Sequence, residues 1–395
     1  MKTKRLLAVY PYLPYPPNYG GKIRSFQLLE LLRKRFEIEV VGLTVPEDDP
    51  AMVRELGEKV ERVFAIPSPP SPCLSRRQKI RNTISPKPWE LPLHSEELGR
   101  IVHERSVGCD VVFFCSTRLL HLRHRSRGRV HLLDLLDIAH LIAYRRVKST
   151  ANLKQRLGLA LEFVKTFVYE LKGLPMFDMV LVTNDADIYR LRRWNRKLPL
   201  AVVPNGVDTE AYSFNPLRSS TPYVLMFLGA LDYSPNEVAV EWLCRSILPK
   251  IRSVVPQVKV LLVGRNPSRL VRSFVGSGIE LVANVPDVRP YFRDCSVFVA
   301  PITIGGGTRI KILEAAAAGR PVVSTSVGAE GLSLIAGAEI EIADTENDFA
   351  RKTLGLLTDR ARVERMTTLA RRRVEREYTW ELSRNKLEQA IAPWL

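Results

Sequence analysis

The chain has 395 residues, 46% hydrophobic and 26% charged, and carries 59 Lys and Arg against 42 Asp and Glu for a net charge of +17. That length exceeds the roughly 250–300 residues at which a single core stops growing, so two domains are expected. No apolar run of about 18 residues occurs, and the start MKTKRLLAVYPYLPYPP is too short and Pro-interrupted for a signal peptide; both argue for cytosolic residence.

The five cysteines, Cys73, Cys109, Cys115, Cys244 and Cys295, are scattered and lack CxxC spacing, as expected of free thiols in a reducing compartment. All six histidines precede residue 141, which excludes a His-rich metal site in the second half. The positive excess suits nucleic acid, an anionic membrane face or anionic small ligands. Its clusters (Arg118 to Arg129, Arg145–Arg146, Arg190 to Arg193, Arg371 to Arg373) match no helix-turn-helix or RNA-binding signature. Solvated faces explain most of them, and attraction to a membrane surface much of the rest.

The first expected strand is Arg5–Tyr10. A Pro/Tyr/Asn/Gly loop and Gly20–Gly21 follow it and lead into an amphipathic helix over 23–35, with Phe26, Leu28, Leu29, Leu31 and Leu32 inward. Neither GxGxxG nor GxxxxGK[ST] is present, so this is no dinucleotide fingerprint and no Walker A loop. Strands follow at 38–43 and 63–66 around a helix near 50–60. The Pro-rich basic segment 67–92 reads as an excursion from the sheet, with Trp89 suited to a membrane interface or to ordinary packing.

Asp110–Cys115 and Val130–Leu133 read as buried strands. Asp134, Asp137 and His140 come next at spacings of three, beyond the C-terminal end of a strand, where α/β sheets bind ligands. A helix over 160–174 is mostly apolar and suits either a core or a bilayer. Strands at 178–183 and 200–203 precede the turn Pro204–Asp208, and the polar stretch 213–222 fits a domain boundary.

The same rhythm restarts at 223–228, which ends in Gly229–Ala230–Leu231–Asp232. A helix over 236–253, a strand at 258–263 with Gly264–Arg265, and a strand at 279–282 entering Asn284–Asp287 complete the first part of this half. The segment SVFVAPITIGGGTRIKILEAAAAGRPVVST (296–325) then reads as strand, glycine loop, helix from Thr308 to Ala318, and strand. In that arrangement Gly305, Gly306 and Gly307 let backbone N–H groups approach a phosphate. Arg309 and Lys311 in the first turn put cations where a helix N-terminus disfavours them unless an anion is present. A strand near 339–343 and a basic helical tail from 348, broken near Tyr378, close the chain. The pattern is two doubly wound α/β domains.

The 296–325 segment resembles the donor-binding motif of glycosyltransferase family four, the group 1 retaining enzymes of GT-B architecture, and the wording is similar to that of exopolysaccharide-associated sugar transferases. PNGVD (204–208), FLGALDYSPNEVAVEWL (227–243), VPDVRPYF (285–292) and YPPNYGGKIRS (15–25) resemble further segments of that family. The resemblance implies two Rossmann-like domains facing across a cleft. They would comprise residues 1–212 on the acceptor side, 213–375 on the donor side, and a C-terminal helix 376–395 crossing back.

The same resemblance implies transfer of a sugar from a UDP- or GDP-sugar to a hydroxyl of a glycan or lipid-linked acceptor, with retention, without metal or other cofactor, in polysaccharide or glycolipid synthesis. A peripheral position on an anionic membrane is compatible with it, and nucleic acid is not an expected partner. Glu314 matches the family's ribose-binding Glu, and Gly306 stands where a sugar-facing Glu is usual. Gly305, Gly306, Gly307 and Thr308 would offer N–H groups to the diphosphate, with Arg309, Lys311 and Arg265 as partners. Gly229 and Asp232 fall in the donor region, and Val285–Pro286 would lie along the base. Gly20, Gly21 and Asn205 would form an acceptor or phosphate loop. Many relatives carry a His at the strand corresponding to Asp110–Cys115; here Phe113, Phe114 and Cys115 stand there, and Asp137 and His140 become the candidate catalytic residues. An epimerase of the same architecture and a basic nucleic-acid-binding protein are the competing classes.

Overall fold

A computed structural model describes residues 4–45, 50–68, 85, 87–89, 91, 93, 95–150, 152–214 and 223–395. It divides into two compact units, Met1–Val203 with Arg384–Leu395, and Pro204–Ser383. The division thus falls before the PNGVD turn, not after it, and the return falls at Arg384. Most of the expected Pro-rich excursion, and of the boundary stretch 213–222, lies outside the described residues.

The first unit is built on an all-parallel sheet ordered β3-β2-β1-β4-β5-β6-β7. Its strands are β1 Lys4–Tyr10, β2 Phe36–Thr44, β3 Arg62–Pro67, β4 Val111–Cys115, β5 Val130–Asp134, β6 Met179–Val182 and β7 Leu200–Val202. Such strands are covered on both faces, which is why VVFFC and MVLV are unbroken apolar runs with no alternation. The helices are α1 Gly20–Leu32, α2 Pro50–Gly57, α3 Glu96–Arg105, α4 Ala139–Ser149, α5 Leu153–Gly173 and α6 Asp185–Arg192. Two apolar cores flank the sheet, and the one under α1 includes Leu387 and Ile391 from the end of the chain.

Helix α1 starts at Gly20, so Gly20 and Gly21 form its first turn instead of a loop ahead of it. Its inward side carries Lys22, Arg24 and Ser25 beside Leu28, Leu29 and Leu32, whereas Phe26 and Leu31 are only half-buried. The cause is Arg24. Its guanidinium forks onto the carboxylate of Asp134 at 2.6–3.0 Å, with the carbonyl of Val203 at 2.8 Å. A buried cation this well partnered turns the helix away from its purely apolar orientation.

The second unit repeats the plan with strands β8 Val224–Leu228, β9 Lys259–Gly264, β10 Ile279–Ala283, β11 Val297–Ala300, β12 Val322–Ser324 and β13 Glu341–Ile342. They lie parallel in the order β10-β9-β8-β11-β12-β13. The main helices are α7 Ser234–Trp242, α8 Ile310–Ala317, α9 Glu346–Thr358 and α10 Arg360–Glu377; α11 Trp380–Ile391 starts in this unit and from Arg384 onward belongs to the first. The expected helix 236–253 is one helical run, but it passes through a π turn at Leu243–Ile247. Pro249 lacks the N–H an unbroken α-helix would need there, and the wider turn accommodates it. The tail breaks once more than expected, at Asp359, whose side chain caps α10 by accepting from the Arg362 N–H at 2.9 Å.

In each sheet the strand order reverses beside the first strand, between β1 and β4 and between β8 and β11. Ligands of open α/β sheets bind outside the carboxyl ends of the strands at such points.

Candidate functional site

In the second unit the reversal point is lined by the exits of β8, β9 and β11. After β8 the chain turns at Gly229, whose N–H bonds the Val263 carbonyl at 3.1 Å, and the Leu231 N–H bonds that of Arg265 at 2.8 Å. The two exits are pressed together: a Cβ on Gly264 would lie 1.7 Å from the Gly229 carbonyl oxygen. Only glycine fits there. Asp232 meets Asn266 at 3.4 Å, and the Asn266 N–H bonds the Asn284 side chain at 2.8 Å, tying the β10 exit to the others. Val285 beyond it is half-buried and Pro286 exposed; Asp287 pairs with Arg289 at 2.8 Å, which holds the Asp287 carboxyl below its ordinary value.

The glycine loop after β11 is buried from Ile304 to Thr308, and Gly307 has a φ of +63°, in the left-handed region. Helix α8 begins at Ile310, two residues later than expected, which makes Arg309 its N-cap. The Arg309 guanidinium folds back on the loop: Nη1 donates to the carbonyls of Gly306 and of Gly307. Asn205 reaches the loop as well, its Nδ2 donating to the Thr308 carbonyl at 3.0 Å. Asn205 therefore belongs with the second unit's loop and not with Gly20 and Gly21 in the first. Two polar atoms of the loop, Thr308 Oγ1 and Arg309 Nη2, are buried and meet no hydrogen-bond partner among the described residues.

Lys311, on the first turn of α8, sits 4.6 Å over the Phe227 ring and donates to Asn236 Oδ1 at 2.9 Å. Asn236 in turn donates to the Ala230 carbonyl at 2.8 Å. The amine thus points back at the Gly229 turn, where an added Cβ would stand 2.8 Å from it. Burial, with the neighbouring Arg309 charge, lowers the Lys311 pKa to about 7, against some support from Glu314. The two cations that looked misplaced at a helix N-terminus are therefore received by carbonyls, an amide and a ring.

Glu314, one turn further along α8, is buried, and that burial raises its carboxyl pKa against the opposing effects of Tyr212 and Lys311. Its Oε1 accepts the Tyr212 hydroxyl at 2.8 Å. Burial and the carboxylate push the Tyr212 phenol well up, which keeps it a donor. The Tyr212 ring packs edge-on against Phe292 at 5.8 Å. Arg371 of α10 braces the assembly, donating to the carbonyls of Thr209 and Tyr212 at 2.8 Å each and to that of Ala317 at the C-terminus of α8. Sequence reasoning missed Tyr212, Asn236 and Arg371. Only Asn236 left a sequence trace, as a polar residue on the face of α7 otherwise made of Pro235, Ala239 and Val240.

In the first unit, Gly20 has no atom within 4 Å of an added Cβ, so space does not require a glycine there. Asp134 is consumed by Arg24. His140 lies on the first turn of α4, and its Nδ1 stands 2.6 Å from Glu170 Oε2. Glu170, buried on α5, also accepts the N–H groups of Ala139 and His140 at 2.9 and 3.0 Å, a carboxylate at a helix N-terminus. The Glu170 carboxylate thus fixes the His140 ring through Nδ1. Asp137 is half-buried in the turn before α4. Among the described residues no three His, Cys, Asp or Glu side chains come together as a metal-binding group.

Residues 222–359 match the family model described as Glycosyl transferases group 1. That segment contains the three strand exits, the glycine loop and Glu314. Over that segment the chain is similar to group 1 glycosyltransferases. The phosphatidyl-myo-inositol mannosyltransferase of Mycolicibacterium smegmatis is 28% identical over 204 residues, 48% of this chain and 52% of that protein. The match thus spans about half the length of that relative. Among solved structures, sucrose-phosphate synthase from Thermosynechococcus elongatus superimposes with a TM-score of 0.72 at 17% identity, covering 99% of each chain. Anabaena HepE in complex with UDP and glucose gives 0.70 at 13% identity, over 98% of this chain and all of that one. The fold is the GT-B architecture of two Rossmann-like α/β units. No helix among the described residues is long and apolar enough to cross a membrane.

Proposed function

We propose that the protein transfers a sugar from a nucleotide-diphosphate sugar to a hydroxyl of a glycan or lipid-linked acceptor, with retention at the anomeric carbon. The observation that carries this reading is the spacing along α8 between a glycine loop that holds two buried, unpartnered polar atoms and one oriented buried carboxylate. Glu314 lies five positions after Arg309, about 7.5 Å along a helix at ~1.5 Å per residue, the span between a diphosphate and the ribose hydroxyls of its nucleoside. Glu314, with Oε1 taken by Tyr212, keeps acceptor capacity on Oε2 for a diol.

The loop N–H groups, Thr308 Oγ1 and Arg309 Nη2 would receive the diphosphate oxygens, and Lys311 would regain its proton beside them. As the glycosidic bond breaks, charge grows on the leaving diphosphate; donors fixed beforehand stabilise that charge most. Those donors could do this without a divalent metal. Gly306, lacking a side chain, leaves the sugar to be read by other groups. The UDP and glucose in the HepE structure and the lipid named in the mannosyltransferase support donor and acceptor of these classes. In the first unit, the Glu170-oriented imidazole of His140, with Asp137, is the group we place nearest the acceptor chemistry.

Thermal unfolding in the presence of UDP, GDP, ADP, CDP and inorganic pyrophosphate tests the reading. One nucleoside diphosphate should stabilise the protein well beyond pyrophosphate, and Glu314→Gln should abolish the difference. Equal shifts for pyrophosphate and every nucleotide would refute it.

A further inference from the structure

Helix α5 is turned inside out. Its buried residues are Glu162, Lys165, Thr166, Glu170 and Gly173, without one large hydrophobic among them. Five of its seven leucines and valines are exposed instead: Leu153 is 68% exposed, Leu157 65% and Val164 52%, with Leu161 and Leu171 exposed too, while Leu159 and Val168 are half-buried. At 100° per residue these positions fall on one stripe. The stripe runs about 27 Å at ~1.5 Å per residue.

The buried polar residues explain why the helix sits this way. Glu170 caps α4 and holds His140, Glu162 accepts the backbone N–H of Trp89 at 2.8 Å, and Lys165 stacks on the Trp89 ring at 4.9 Å. On the α4 side, Phe163 and Phe167 pack with Tyr144 and His140 at 5.7 and 5.1 Å. Both acids between Ala139 and Gly173 are thereby used internally. The exposed charges of the pair of helices, Lys148, Lys154, Arg156 and Lys172, are all positive.

We propose that the outer face of α4 and α5 docks on an anionic lipid bilayer, with the leucine stripe at the level of the acyl chains and the lysines and arginine among the headgroups. An apolar stripe flanked only by cations matches a surface that is oily beneath and negative above. A second copy of the chain would set these cations against their like on a protein of net charge +17. Nothing in this inference depends on sugar transfer, so failure of donor binding would leave it standing.

The test is flotation of the full chain with vesicles of phosphatidylcholine alone and of phosphatidylcholine with phosphatidylglycerol, alongside sedimentation velocity without lipid. The wild type should float with the mixed vesicles and not with the neutral ones. Leu157→Ser with Val164→Ser, at exposed positions, should weaken that binding about tenfold or more while leaving the thermal unfolding midpoint unchanged. Lys154→Gln with Arg156→Gln should weaken it and reduce its salt sensitivity. Equal binding to both vesicles, no binding to either, full binding by the leucine and valine variant, or a dimer in the wild type that the variant dissolves would each overturn the proposal.

Discussion

Replacing Tyr212 by Phe removes one oxygen atom and nothing else from the proposed donor site. The ring stays wedged against Phe292, so no large cavity opens. What is lost is a 2.8 Å hydrogen bond to a buried carboxylate. Hydrogen bonds to charged groups contribute about 1.5–3 kcal/mol, and a buried acceptor left short of a donor puts the loss toward the upper part of that range. For a unit of this size, each kcal/mol moves the midpoint by about 2–4 °C, so the variant should melt roughly 4–12 °C lower. Because the hydroxyl also depresses the Glu314 pKa, its loss raises that pKa further and weakens ribose binding. Calorimetric unfolding with and without the preferred nucleoside diphosphate measures both effects. The nucleotide-induced shift should shrink along with the midpoint. An unchanged midpoint, or a lowered midpoint with full nucleotide stabilisation, would refute the role given to Tyr212.

Three further outcomes follow from the geometry. With the Lys311 pKa near 7 in the free protein, a bound diphosphate draws a proton onto the amine; affinity should hold below pH 7 and fall by up to about tenfold per pH unit above it, as titration calorimetry would show. The lowered pKa has the opposite sign for stability: the unfolded chain keeps that proton above pH 7, so the free fold gains stability as pH rises toward the ordinary lysine value. Arg24→Leu leaves Asp134 buried without its main partner and should cost about 3–5 kcal/mol in urea unfolding, and Arg24→Leu with Asp134→Leu should recover much of it. Gly264→Ala should yield no soluble folded protein, while Gly20→Ala, inside a helix with open space around it, should match or slightly exceed the wild type in stability.

The two parallel sheets were legible in the sequence because buried strands such as VVFFC and VFVA carry no competing pattern. The glycine loop and Glu314 were legible for a related reason: their spacing on one strand–loop–helix unit is local. What escaped was long-range. Tyr212 finds Glu314 across 102 positions, and Arg371 finds Thr209 across 162. No window of sequence contains such a pair. The inward face expected for α1 left out Arg24, because the carboxylate that receives it, Asp134, lies 110 positions on. Likewise the apolar content of α5 was plain, but which way it faced depended on Glu162 and Glu170 having internal partners. The basic tail cluster read as solvated, whereas Arg371 and Arg373 are committed, the latter to Glu339 at 3.1 Å.

The return of the last twelve residues to the first unit has a consequence for how the molecule comes into being on the ribosome. Leu387 and Ile391 fill the core beneath α1, and Lys4 of the opening strand bonds the carbonyl of Trp394 at 2.8 Å. The part of the chain made first is therefore completed last. The second unit, contiguous from Pro204 to Ser383, has all its parts while the earlier one still lacks its closing piece. Folding during synthesis would then run against the order of translation, with the N-terminal unit exposing an unfinished apolar face until residues 384–395 emerge.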